Sequence, residues 1–256
     1  METGLVKRWN VDKLEVSLFE DQPTLAKAVT AEVEHYLASL ASFRAILATG
    51  NSQIEFLKQL AKSDRIHWSE ATLFHMDEYL GLSGEHTASF RRYMRERVEE
   101  LVGPKTFHYI EGDADEPIDE CDRYESLLRE SPIDLCCMGV GENGHIAFND
   151  PHVANAADAR WAKIVSLDEA CRMQQVNEGH FPDLESAPPY AITLTIPALL
   201  SATKIMCVAP ETRKAKAVTA ALEGPISPDC PASFLRTVEN AKLFIDRDSA
   251  IHLKGV

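Results

Sequence analysis

The feature that most constrains the fold of this chain is a series of short apolar runs, each separated from the next by a longer segment. The clearest run is IDLCCMGV, residues 133–140, which is apolar almost throughout. Strands of this kind are typically buried on both faces, as they are when helices cover both sides of a parallel sheet. Similar runs occupy residues 44–49, 71–76, 162–167, 190–196, 204–209 and 242–246.

Helical patterns lie between these runs. In residues 51–62, Ile54, Leu57 and Leu60 recur at the three-residue spacing of one helix face. Comparable patterns cover residues 23–40, 86–101, 117–130 and 211–222. Strands that alternate with helices predict an α/β fold around a mostly parallel sheet. No repeat, low-complexity tract or long linker divides the chain, so we expect residues 1–256 to form a single domain.

Charge and cysteine content exclude several classes of protein. Aspartate and glutamate total 40 against 26 lysines and arginines, a formal net charge of -14, which disfavours nucleic acid and anionic lipid as partners. None of the six cysteines forms a CxxC pair, which favours reduced, buried thiols over a zinc site or disulfide framework. The first residues lack a signal peptide, and no apolar segment approaches the ~20 residues that span a bilayer. We therefore expect a cytoplasmic protein without a membrane partner.

Ligands of open parallel sheets bind beyond the carboxyl ends of the strands. The first such end is followed by a short polar segment that opens a helical pattern. Backbone N–H groups at a helix start, with hydroxyls beside them, can bind an anion, and glycine allows close approach. The alternative is an ordinary turn with a side-chain cap. The segment consists of Thr49, Gly50, Asn51 and Ser52.

The second strand end carries two adjacent acids, Asp77 and Glu78. A carboxylate at the mouth of a sheet is a candidate general base, since proton abstraction from carbon needs a base held close to that carbon. The alternative is a solvated pair or a helix cap. Further along the chain, Lys214 opens a helical pattern after residues 204–209. It is either a phosphate contact or an exposed surface lysine.

The third strand end is GVGENGHIAFND, residues 139–150, whose glycine spacing matches a dinucleotide-binding turn. Pro151 interrupts the helix that such a turn requires, and Asp168 lies too late to bind a ribose, so we expect no nicotinamide cofactor. The glycines instead suggest a backbone that approaches a small ligand.

The polar residues of the same stretch suggest proton transfer. His145 is flanked by Asn143 and Asp150, a pattern typical of a histidine that transfers protons and is oriented by polar neighbours. The alternative is a structural histidine that is hydrogen-bonded within a loop.

Three motifs together resemble the glucosamine-6-phosphate deaminase (isomerase) family. They are HMDEYLGLSGEHTASF (75–90), DLCCMGVGENGHIAFNDP (134–151) and ITLTIPALLSATKIMCVAPETRKAKAVTAALEG (192–224). Their order and spacing also agree, and the likeness extends over roughly residues 20–250. The resemblance implies a Rossmann-like, mostly parallel sheet sandwiched by helices that binds a sugar phosphate without a metal or an organic cofactor.

The resemblance also implies a division of roles. The reaction would convert glucosamine 6-phosphate to fructose 6-phosphate and ammonia, by aldose–ketose isomerisation and deamination in amino-sugar catabolism. Asp77 would move a proton between C2 and C1, and His145 would protonate the ring oxygen during ring opening. Asn143 and Asp150 would orient His145. The segment 49–52 and Lys214 would hold the 6-phosphate.

This chain departs from the family pattern at three places. The family often has aspartate at the position of Asn143 and glutamate at that of Asp150, so the charge and reach of the groups around His145 differ. The stretch CRMQQVNEGHF, residues 171–181, lacks an arginine that the family uses to grip phosphate.

Several other functions remain open at the level of sequence. They are a galactosamine-6-phosphate isomerase, a 6-phosphogluconolactonase, and a non-catalytic sugar-phosphate sensor. The MDEY and GHIAFN motifs have the deaminase form, and the acidic chain shows no helix-turn-helix extension, which favours the deaminase. The sequence leaves a homo-oligomer open.

Overall fold

The computed structural model describes residues 4–255. Residues 1–3 and 256, at the ends of the predicted single domain, lie outside the described part of the chain. The strands are β1 (Leu5–Val11), β2 (Leu14–Phe19), β3 (Phe43–Leu47), β4 (Ala71–His75), β5 (Asp77–Tyr79), β6 (Thr106–His108), β7 (Leu135–Gly139), β8 (Ala162–Ser166), β9 (Tyr190–Leu194), β10 (Lys204–Val208) and β11 (Ala241–Asp246).

Helical segments connect most of these strands. The α-helices are α1 (Gln22–Leu37), α2 (Ile54–Leu60), α3 (Phe90–Met94), α4 (Glu100–Val102), α5 (Pro117–Arg129), α6 (Glu169–Asn177), α7 (Ile196–Leu200) and α8 (Ala215–Glu223). A π-helical turn, Arg95–Glu99, joins α3 to α4. Two 3-10 segments, Asn51–Gln53 and Thr212–Lys214, lead directly into α2 and α8.

The large sheet has eight strands in the order β1-β2-β11-β10-β7-β3-β4-β6. Apart from the antiparallel hairpin of β1 and β2, neighbouring strands run parallel. Side chains alternate between two apolar clusters: Cys136 and Met138 of β7 lie in one, and Leu135 and Cys137 lie in the other. Helices α5, α7 and α8 cover the first face, and α1 and α2 cover the second. The predicted sandwich is confirmed, and burial on both faces explains the apolar strands.

Two predicted strands do not join this sheet. The runs at residues 162–167 and 190–196 form β8 and β9, which pair with β5 in a separate antiparallel sheet of order β5-β9-β8. The second run also ends early, because Thr195 caps α7 and Pro197 occupies its first turn. Apolar periodicity identifies a strand and does not specify its pairing partner.

The second sheet places Asp77 next to the large sheet. Asp77 begins β5 only two residues after β4 ends at His75, and it pairs with Thr193 of β9. The backbone N–H of Leu194 donates to Met76 O across 2.8 Å, which joins β9 to the end of β4. The two sheets therefore meet at the strand end where the sequence predicts a base.

Within residues 4–255, no helix combines the length and the apolarity needed to cross a membrane. All six cysteines lie in this part of the chain, where each is buried and none forms a disulfide. Burial raises the pKa of the Cys137 thiol, as expected for an unreactive side chain in an apolar core.

Candidate active site

A pocket lies at the carboxyl edge of the large sheet, where the loops after β3, β4, β7 and β10 converge. Its lining includes seven of the predicted residues: Thr49, Gly50, Asn51, Ser52, Asp77, His145 and Lys214. Asn143 and Asp150 lie behind His145 and contact it directly. The structure therefore brings all predicted site residues together, although they come from four separate loops.

The loop after β3 is held in place from two sides. Gly50 has φ +106°, a conformation that favours glycine, and its carbonyl accepts a hydrogen bond from Tyr93 Oη at 3.0 Å. Gln53 Nε2 donates to Val208 O, at the end of β10, across 3.3 Å. Among the described residues, no side chain caps the 3-10 segment 51–53. The first amides of such a segment have no partner within the helix, so they suit an anionic ligand better than the ordinary capped turn would.

Asp77 is a desolvated carboxyl group. It is only 6% exposed, and its Oδ1 has no hydrogen-bond partner within residues 4–255. Burial, with a smaller contribution from the neighbouring Glu78, raises the pKa of Asp77 well above its usual value. A buried carboxyl in a pocket has the properties of a general base, because burial disfavours its charged form and makes that form a stronger proton acceptor.

Glu78, by contrast, serves the fold. It is fully buried, and its carboxylate accepts hydrogen bonds from Ser89 Oγ at 2.7 Å and from the backbone N–H groups of Tyr79 and Arg91, both at 2.9 Å. Burial raises the pKa of Glu78 despite these donors. The structure thus separates the two adjacent acids: Asp77 faces the pocket, and Glu78 fixes the start of α3.

His145 is anchored by a buried carboxylate. Its Nδ1 lies 3.0 Å from Asp150 Oδ1, so the shorter aspartate still reaches the ring. Asn143 Nδ2 donates to the same oxygen at 2.9 Å, and Asn143 Oδ1 accepts from the His145 backbone N–H at 3.0 Å. Burial raises the pKa of Asp150, but the donors from His145, Asn143 and Asp168 outweigh it and lower the pKa below its usual value. With Nδ1 held by Asp150, Nε2 is the ring nitrogen left for proton transfer.

The glycines of residues 139–144 accommodate this histidine. A Cβ atom at Gly141 would overlap the imidazole ring of His145. Gly144 has φ +88°, which other residues rarely adopt. After Gly144 the chain forms a turn, whereas a dinucleotide-binding turn continues into a helix. Glycine at position 141 therefore leaves room for the imidazole ring of His145.

Lys214 is buried, at 3% exposure, so the alternative of an exposed lysine is wrong. Burial, and then the adjacent Arg213, lower its pKa. The turn before it is strained, because Glu211 has φ +81°. The backbone N–H of Glu211 donates to Asp246 Oδ1 at 3.1 Å, and this buried carboxylate at the end of β11 holds the turn.

Four further polar or charged residues of the pocket lining were not predicted from the sequence. Gln174, Gln175 and Glu178 line the pocket from α6 and the residue that follows it, and Arg213 lines it beside Lys214. Arg213 pairs with Glu178, and its Nε lies 2.6 Å from Glu211 Oε2. Burial opposes ionisation of Glu178, but its cationic and hydrogen-bonding neighbours lower its pKa to about 2. Residues 174, 175 and 178 are spaced as one face of a helix, and this spacing could have predicted that they line the pocket together.

Two groups of side chains in residues 4–255 have the composition of a metal site. Ligand atoms of His145, Asp150 and Cys171 all lie within 4.8 Å of one another, and so do those of Asp150, His152 and Asp168. Asp150, which both groups share, already faces His145 and accepts hydrogen bonds from Asn143 and from the backbone N–H of Asp168. We assign no metal to either group.

Comparison of the sequence with known proteins identifies its relatives. The profile of the family described as glucosamine-6-phosphate isomerases/6-phosphogluconolactonase matches residues 20–244. A glucosamine-6-phosphate deaminase from Exiguobacterium sibiricum is 37% identical over 204 residues, which cover 80% of this chain and 79% of the relative. The same enzyme from Bacillus cytotoxicus is 32% identical over 236 residues, which cover 92% of this chain and 88% of the relative.

Solved structures agree. A monomeric glucosamine-6-phosphate deaminase superposes with a TM-score of 0.85 at 29% identity, over 92% of this chain and 98% of that one. A 6-phosphogluconolactonase from Thermotoga maritima superposes with a TM-score of 0.72 at 19% identity, over 91% and 99% of the two chains, and so shares the fold. This chain belongs to the family of glucosamine-6-phosphate isomerases and 6-phosphogluconolactonases.

Proposed function

We propose that this protein is a glucosamine-6-phosphate deaminase, which converts glucosamine 6-phosphate and water to fructose 6-phosphate and ammonia. The observation that carries the proposal is the desolvated Asp77 carboxyl in the same pocket as the anchored His145 and the buried Lys214. Isomerisation at a carbon next to a carbonyl needs a base for a carbon-bound proton, and ring opening needs a separate acid. The relatives that bear this name support the same assignment.

Substrate binding begins at the phosphate. Lys214 and the amides of residues 49–52 supply the cation and the N–H donors that a phosphate requires. Arg213 lines the same wall, and we propose that it takes the place of the arginine that residues 171–181 lack. Contacts at the phosphate position the sugar while leaving its reacting carbons free to approach Asp77 and His145.

Ring opening is assigned to His145. The protonated imidazole donates a proton to the ring oxygen as the bond between that oxygen and C1 breaks. The C1 hydroxyl gives its proton to water, which leaves an aldehyde at C1, and the imidazole takes a proton back from solvent. The ionised Asp150 at 3.0 Å stabilises the imidazolium and keeps the ring in position. Asn143 holds Asp150 and the backbone of His145 at the same time.

Isomerisation is assigned to Asp77. Its carboxylate removes the C2 proton of the open-chain amino aldehyde, giving an enol-type intermediate, and returns a proton to C1. The product is an imine at C2, which water hydrolyses to the ketone with release of ammonia. Asp77 acts in its ionised form. Its Oδ1 has no hydrogen-bond partner within residues 4–255, which leaves that oxygen reactive toward a carbon acid.

The cellular setting follows from the same proposal. An enzyme of amino-sugar catabolism acts on phosphorylated sugars in the cytoplasm, and six buried cysteines without a disulfide suit that reducing compartment. The acidic charge argues against nucleic acid as a partner. The sugar phosphate is the one partner proposed, and either a monomer or a homo-oligomer is compatible with the pocket as described.

The proposal is tested with four substrates in parallel: glucosamine 6-phosphate, galactosamine 6-phosphate, 6-phosphogluconolactone and unphosphorylated glucosamine. Ammonia and fructose 6-phosphate are measured for the amino sugars, and acid release for the lactone. We expect efficient turnover of glucosamine 6-phosphate alone. Lactone hydrolysis without ammonia release would assign the chain to the other branch of its family. Binding of a phosphosugar without any turnover would indicate a sensor.

A further inference from the structure

A carboxylate outside the predicted site is joined to His145 through two side chains. Asp168 caps α6, with Oδ1 accepting from the backbone N–H of Cys171 at 2.6 Å. Its Oδ2 accepts from Asn143 Nδ2 at 3.1 Å, and its own backbone N–H donates to Asp150 Oδ2 at 3.1 Å. Asp168 therefore contacts both residues that hold His145.

The surroundings of Asn143 suit an amide side chain, because they offer acceptors to its nitrogen and a donor to its oxygen. Its Nδ2 donates to Asp150 Oδ1 at 2.9 Å and to Asp168 Oδ2 at 3.1 Å, which uses both of its hydrogens. Its Oδ1 accepts from the His145 backbone N–H. A carboxylate at this position would place a third negative charge against two others and would supply no donor.

We propose that Asp168 is a positioning residue for His145. Its hydrogen bond fixes the Asn143 amide between two carboxylates, and that amide in turn holds Asp150 and the backbone of His145. The catalytic consequence rests on the proposed function, in which His145 opens the sugar ring. The connected hydrogen bonds rest on the geometry alone.

The contacts of Asp168 with the histidine are indirect. Asp150 lies 3.0 Å from the imidazole, whereas Asp168 reaches the histidine through Asn143 and Asp150. Asp168 is itself held in place because it caps α6.

The test uses a variant that removes the charge and keeps the helix cap. Asparagine caps helices as well as aspartate does, so Asp168→Asn should preserve α6. If this variant does not fold, Asp168→Ser, which also caps a helix, replaces it. Asp183→Asn is the matched control, because exposed Asp183 accepts from the backbone N–H of Ser186 at 2.8 Å in a similar local turn outside the pocket.

The first readout is the hydrogen exchange of the His145 backbone N–H, followed by NMR. This N–H donates to Asn143 Oδ1, and Asp168→Asn removes an acceptor that holds the Asn143 amide, so the N–H should exchange severalfold faster with solvent. Asp183→Asn should leave the exchange rate unchanged. An unchanged exchange rate in a folded Asp168→Asn protein would overturn the proposal. Since this readout needs no substrate, it stands even when the wild-type protein releases no ammonia.

The second readout is a double-mutant cycle on kcat/KM, which applies once wild-type turnover has been shown. Asn143→Asp should reduce kcat/KM by about tenfold to a hundredfold, because it replaces two donor contacts with repulsion. In the Asp168→Asn background the same change should cost severalfold less, because one of the two opposing charges is gone. Strictly additive losses would show that residues 143 and 168 act separately, contrary to the proposal.

Discussion

At the scale of single residues, two carboxyl groups of one pocket have opposite environments. Among the described residues, Asp77 Oδ1 has no hydrogen-bond partner, and burial raises the pKa of Asp77, whereas donors around Asp150 lower the pKa of that carboxyl. Such a difference assigns distinct roles to chemically similar groups, one as a base and the other as the fixed counter-charge of a histidine. Neither environment follows from the letters of the sequence, which showed only acids near a histidine.

The raised pKa of Asp77 predicts the acid limb of the pH profile. A base works only when ionised, so kcat/KM should fall as the pH drops through this raised pKa. The loss should therefore begin at a higher pH than for an ordinary aspartate. The measurement is kcat/KM for glucosamine 6-phosphate against pH, with circular dichroism to confirm folding at each point. If the activity falls only near the pKa of an ordinary aspartate, the buried environment assigned to Asp77 would be contradicted.

Gly141 gives a steric prediction. The Cβ of Gly141→Ala would overlap the His145 ring, so the ring must move and kcat should fall by about a hundredfold. The stability loss should be roughly 1–3 kcal/mol, the usual cost of overpacking, as measured by urea denaturation. In a His145→Ala background the same substitution should cost little stability. An equal loss in both backgrounds would mean that the ring is not the obstacle.

Lys214 and Arg213 give a prediction on phosphate recognition. Lys214→Ala should raise KM for glucosamine 6-phosphate by about tenfold to a hundredfold, because a charged hydrogen bond is lost. Arg213→Gln should raise KM in the same direction by less, since Glu178 and Glu211 share its charge. Activity on unphosphorylated glucosamine, measured as the control, should not change. A KM that is unaffected in both variants would place the phosphate elsewhere.

At the scale of elements, much of the fold could be predicted from the sequence. Apolar runs identified β3, β4, β7, β10 and β11, and helical spacing identified the segments of α1, α2, α5 and α8 within a few residues. The hairpin of β1 and β2 and the pairing of the second sheet were missed. The edge strand β1 is largely exposed and carries a weak apolar signal, whereas the buried strand β2 offered an alternating signal, Leu14, Val16 and Leu18, that was not used. Long-range pairing leaves no trace in local spacing. The pairing of β9 with β5 helps to bury Asp77. Because this pairing could not be predicted, the burial of Asp77 could not be predicted either.

The turn before α8 gives a prediction at this scale. Asp246→Ala removes the acceptor of the Glu211 and Ser249 backbone N–H groups, at 3.1 and 2.8 Å, which should cost on the order of 2 kcal/mol in urea denaturation. The released turn should also move Lys214 and raise KM more than it lowers kcat. Asp229→Ala, at an exposed turn, is the control. A stability loss with an unchanged KM would show that the turn does not position Lys214.

At the scale of the whole molecule, the predicted α/β sandwich and the family are confirmed, and the strand-end rule located the pocket. That rule works because parallel strands end at one edge, so residues far apart in sequence, such as Gly50, Asp77 and Lys214, meet there. The contribution of α6 was not predicted, because its pocket residues Gln174 and Gln175 are neutral and match no expected phosphate contact. An arginine does line the pocket, but it is Arg213, which follows β10. That residues 1–256 act as a single domain stays a prediction.

The most direct test of the account is the Asp77→Asn variant, assayed for ammonia release and for binding of glucosamine 6-phosphate by calorimetry. The account predicts that turnover is abolished while binding stays within a fewfold of the wild type, because the amide fits the same space without acting as a base. It also predicts a higher thermal stability at neutral pH, since the buried charge is gone. Full activity in Asp77→Asn would remove Asp77 from the reaction and contradict the central claim.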